Sequence, residues 1–166
     1  MTLYRSVVFL HLLAAFVWLG GLLFLALVGA PVLRKVEPPE LRVGLFRAMG
    51  LRFRWVGWSA LGVLLGTGVA ILHLRGVLRW ELLSHGAWWS TPFGTALKWK
   101  LLAVGVMVTA GAWHDFVEGP RAARESRGKM DRAGPSTARR WSIILARGSV
   151  LVGLVLIYWA MRMVRG

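Results

Sequence analysis

Between Arg5 and Arg34 the chain carries no Asp, Glu, Lys or Arg. A helix needs about 20 apolar residues to cross the hydrocarbon of a bilayer, and this stretch exceeds that. Three further apolar runs follow, so helices are expected at about 5–30, 55–74, 96–114 and 141–161. Hydrocarbon offers no partner to a peptide group, so a helix that bonds within itself is the form such runs take. The expected fold is a single domain over 1–166, an all-α integral membrane protein built as a four-transmembrane-helix bundle. Leu41, Leu45, Phe46, Met49 and Phe53 alternate with Arg42, Arg47, Arg52 and Arg54, which predicts an amphipathic segment at about 40–53 running into the second span. Pro31 is expected to end the first span.

The formal net charge is +14, but its placement points to a membrane and not to nucleic acid. Six Lys/Arg fall in 34–54 and seven in 121–140, against Arg75 and Arg79 alone in 75–95. The positive-inside rule then places the first and third connections in the cytoplasm, with both termini and the second connection outside. The expected contacts are the lipid bilayer and, at the basic connections, anionic lipids. The first apolar run is too long for the core of a signal peptide and is read as a retained helix. Without Cys, thiolate metal sites and disulfides are excluded.

Polar residues inside such spans are costly and are by default functional. His11 lies on one stripe of the first helix with Ala15, Trp18 and Leu22, beside Ala14 and Gly21. His73 shares a stripe with Gly62, Gly66, Val69 and Ala70, read as the close-packing face of the second span and a surface suited to a homodimer. Lys100, Met107, Gly111 and His114 return to one face of the third. In this topology His11 sits roughly 10 Å below the outer surface, with His73, Lys98 and Lys100 nearer that surface and a depth mismatch of roughly 7–10 Å between the two histidines. Asp115 is expected to pair with Arg147 in the fourth span, and Ser136 or Thr137 to cap it.

Two metal chemistries suit these groups. Imidazole ligates haem iron and copper, and haem fits between the helices of a bundle with Lys near its propionates. Copper as Cu(I) prefers sulfur, of which Met107 alone is expected near mid-membrane, so the inventory favours haem b or an imidazole-type Cu(II) site. His11 is the expected axial ligand and His73 a second; His114 is a further metal candidate. Lys98, Lys100 and Trp18 complete the expected cofactor contacts.

The run His11-Leu-Leu-Ala-Ala-Phe-Val-Trp18-Leu-Gly20-Gly21 resembles the opening of CopD-type copper-resistance membrane domains. Ser90-Thr-Pro92-Phe-Gly94-Thr-Ala-Leu-Lys98-Trp-Lys100-Leu-Leu resembles the entry to a later helix of that family, and His114-Asp115-Phe116 with Gly119-Pro120-Arg121 is similar to its small members. His11, Trp18 and Lys100 are also similar to the positions that matter in HemJ-type haem proteins, which oxidise protoporphyrinogen. Where those proteins close the first helix with an arginine and a histidine, this chain reads Gly29-Ala30-Pro31-Val32-Leu33-Arg34. The resemblances imply a multi-pass protein of the prokaryotic cytoplasmic membrane with a redox metal centre. The first expectation is a haem-dependent oxidoreductase or electron carrier with a membrane redox partner. The alternatives are copper binding and transport across the membrane, and a cofactor-free assembly partner.

Overall fold

The structure, a computed structural model, describes residues 2–118, 148 and 151–162. All regular elements among these residues are helical: α1 (Thr2–Phe24), α2 (Ala30–Leu33), α3 (Pro39–Leu74), α4 (Trp80–Ser84), α5 (Pro92–Trp113) and α6 (Leu151–Arg162). The chain forms two compact units, residues 1–88 and 89–166.

Among the described residues, three stretches are long and apolar enough to span a bilayer: Thr2–Leu33, Pro39–Leu74 and Pro92–Val117. They contain the first three expected spans and extend them. Of the fourth, residues 151–161 fall within α6, whose described length is short of a span; Ser136, Thr137 and Arg147 lie outside the described residues.

Pro31 does not end the first span. Residues Leu25–Gly29 wind as a π-helical turn, with the Ala30 N–H bonded to the Leu25 carbonyl five residues back. A proline ring crowds the carbonyl four residues before it, and a widened turn is a common way for a helix to absorb that crowding. The helix then continues through α2 to Leu33.

The expected amphipathic segment and second span are one helix, α3. Pro39 opens it at a position where no backbone N–H is needed, and Glu40 in the first turn complements the helix dipole. Its end is explicit. Gly76 adopts φ +69, its N–H bonds His73 O at 2.9 Å, and the Val77 N–H bonds Leu72 O at 2.9 Å. These paired bonds form the left-handed stop that glycine makes accessible, and Val77 is buried beside it.

In the first unit α1 and α3 pack as an antiparallel hairpin. Met49 meets Gly29, Phe53 meets Gly21, Trp18 meets Gly57 and His11 meets Gly68, so partners rise along one helix as they fall along the other. The packed face of α1 is His11, Ala14, Ala15, Trp18, Gly21 and Leu22, as its sequence stripe predicts. The packed face of α3 is not the predicted one. Gly57, Ala60, Leu61 and Thr67 are buried, whereas Gly62, Gly66, Val69 and His73 are exposed. A side-chain carbon added at Gly62 or Gly66 would meet nothing within 4 Å. Large apolar side chains such as Phe9, Leu12 and Phe16 point away from the hairpin, the arrangement of a helix pair solvated by lipid.

In the second unit the Thr91 hydroxyl caps α5 by accepting from the Gly94 N–H at 3.1 Å, and Pro92 takes the first helical position. Thr95 Oγ1 donates to Trp89 O at 3.0 Å, tying the preceding turn to the helix. Trp99 of α5 stacks on Trp159 of α6 with centroids 6.3 Å apart. His114 opens a second π-helical turn, His114–Glu118.

Candidate metal site

A hydrogen bond between polar side chains joins α1 to α3. His11 Nδ1 lies 2.8 Å from Thr67 Oγ1. The same hydroxyl donates to Val63 O at 2.6 Å, with Leu64 O farther away at 3.3 Å. Thr67 is buried and His11 half-buried. The position of a side-chain carbon on Gly68 would be 3.6 Å from His11 Cε1, so one edge of the imidazole rests against the α3 backbone. Sequence reasoning found His11 and missed Thr67. The signal was present in the hairpin register: a short connection between two spans sets residues opposite one another, and Thr67 is the polar side chain of α3 near the level of His11.

The other expected ligands are placed differently. His73 is six residues beyond Thr67, about 9 Å farther along the axis and about 120° around it. It lies on an exposed face of α3, and the hairpin does not bring it to His11. Trp18 is on the His11 stripe but seats its ring edge at Gly57, 3.9 Å from where a side-chain carbon would stand. That contact is helix packing. His85, outside the spans, lines an open hollow with Arg79, Glu81 and Leu82.

Within the second unit, Lys98 and Lys100 diverge. Lys98 is exposed, whereas Lys100 is half-buried on the stripe that continues through buried Met107 to Gly111 and half-buried His114. The predicted face of α5 is thus its less exposed one. Among the described residues, no three His, Cys, Asp or Glu side chains assemble to hold a metal.

The sequence profile described as Copper resistance protein D matches residues 47–162. The chain belongs to the CopD family. It is therefore a copper-resistance-related membrane protein, and the match includes Thr67, Lys98, Lys100 and Met107 while beginning after His11. An uncharacterized protein of Aquifex aeolicus (strain VF5) is 28% identical over 154 residues, covering 93% of this chain and 90% of the relative. No solved structure matches the chain. The family description names copper and not haem, so it fits the copper alternative better than the haem-centred expectation.

Proposed function

We propose that this CopD family member binds copper within the membrane as cargo in copper homeostasis, with the His11 imidazole as a ligand. The observation that carries the reading is the His11–Thr67 hydrogen bond between two spanning helices of a copper-resistance family member. An imidazole in an apolar span is expensive, and metal-binding histidines characteristically have their second nitrogen held by a neighbour. Imidazole suits Cu(II), and the chain has no Cys to supply thiolate. In this reading the basic segments 34–54 and 121–140 lie toward the cytoplasm, a fourth span includes α6, and His11 lies in the outer half of the bilayer.

Cellular copper is the direct test. Expression of the wild-type chain in a bacterial host should change copper accumulation and copper tolerance, and His11→Ala should abolish the change at equal protein level. A wild-type chain that leaves both unaltered, or a His11→Ala variant that acts like wild type, overturns the proposal.

A further inference from the structure

We propose that Thr67 is a positioning residue that holds His11 in the Nδ1–H tautomer, making Nε2 the nitrogen that meets the metal. The protons available to Thr67 and His11 decide it. A hydroxyl has one hydrogen to give. Val63 O lies 2.6 Å from Thr67 Oγ1, a separation of two oxygens that is favourable only with a proton between them, so the Thr67 proton is committed there. Oγ1 can then only accept along its 2.8 Å contact with His11, and Nδ1 must carry the donated hydrogen. In a neutral imidazole the lone pair is consequently on Nε2.

The surroundings fix the ring as well as its proton. Thr67 is buried on the packed face of α3, and its branched side chain has few χ1 choices in a helix, fewer still when its hydroxyl bonds the carbonyl one turn back. Gly68 lets the Cε1 edge approach the α3 backbone. Thr67 thus acts on the metal through His11 without touching it. The ligation at Nε2 rests on the copper reading, whereas the tautomer does not.

The experiment uses the full chain with ¹⁵N-labelled histidine in bilayers at alkaline pH, the His11 signals being identified by their loss in His11→Gln. Wild type and Thr67→Ser should both show a protonated Nδ1 and an unprotonated Nε2. Thr67→Val keeps the shape and removes the acceptor, so His11 should change tautomer. A wild-type Nε2–H tautomer, or no change in Thr67→Val, overturns the assignment; the wild-type spectrum alone decides if the valine variant fails to fold. Cu(II) titration of the same samples should show affinity about 10–100-fold weaker in Thr67→Val and retained in Thr67→Ser. A tautomer change with unaltered copper affinity overturns ligation through Nε2. The expected tautomer in a wild-type chain that takes up no Cu(II) overturns the copper reading and leaves the role of Thr67 standing.

Discussion

The Phe53 ring of α3 lies directly over the α-carbon of Gly21 in α1, in the space that any larger residue at position 21 would occupy. A side-chain carbon there would overlap Phe53 Cε2, and the ring edge would have to swing away. Small-to-large changes at such contacts cost about 1–3 kcal/mol, and alanine regains up to about 1 kcal/mol of helix propensity. Gly21→Ala should therefore lower the stability of the hairpin by the difference, and Gly21→Leu by more. Equilibrium unfolding in mixed micelles measures both.

Gly62 and Gly66 predict the opposite. Added carbons at these positions meet nothing within 4 Å, so alanine gains helix propensity, up to about 1 kcal/mol, with no steric cost. Gly62→Ala and Gly66→Ala should be neutral or stabilising in the monomer. Loss of an oligomer on gel filtration with either variant would instead assign this exposed face to a second copy of the chain.

The contrast between these glycines explains what could be read in advance. On α1 a single stripe combines small residues with His11, and its neighbours Phe9, Leu12 and Phe16 are bulky, so the packed face is legible. On α3 small residues occur on both sides: Gly57, Ala60 and Gly68 on one, Gly62 and Gly66 on the other. Spacing alone cannot choose between them. The choice is made by bulk and polarity across the interface, where Trp18 needs the notch at Gly57 and His11 needs the hydroxyl of Thr67. The π turn before Pro31 was hidden for a different reason. A proline marks a disturbed helix, and spacing alone does not tell a helix that stops from one that widens its turn and continues, as this one does. The spans themselves were legible because hydrocarbon leaves the backbone little alternative.

The placement of the histidines separates their roles. His11 is held at the helix interface, whereas His73 is exposed and about 9 Å farther along α3 than Thr67. His11→Ala should abolish Cu(II) binding by the purified protein, and His73→Ala should leave it within about twofold, a change worth under 0.5 kcal/mol. Equilibrium dialysis with metal analysis distinguishes them. Equal losses in the two variants would show that both imidazoles reach one ion and that the hairpin register changes on binding.

Thr91 sets where α5 begins. Its hydroxyl satisfies the Gly94 N–H, and removing an N-cap of this kind costs about 1 kcal/mol. Thr91→Ala should speed hydrogen exchange at Gly94 and Thr95 and lower stability by that amount, while Thr91→Ser retains the bond. Uniform exchange across the three proteins would show that Pro92 and the Thr95–Trp89 bond suffice to fix the helix start.

Lys98 and Lys100 lie two residues apart and therefore on nearly opposite sides of α5. Lys98 is exposed and Lys100 half-buried along the stripe of Met107. An amine on an apolar stripe inside a span opposes folding by a fraction of the ~2.5–3.5 kcal/mol that a charge costs at the membrane centre. Lys100→Met should thus raise the thermal unfolding temperature, and Lys98→Met should leave it nearly unchanged. The functional consequence runs the other way. If the copper-handling protein retains Lys100 to draw an anionic group into the span, the stabilised Lys100→Met variant should lose copper accumulation while Lys98→Met keeps it. A Lys100→Met protein that is more stable and fully active would make the lysine dispensable, and one that is less stable would show that its amine bonds within the fold.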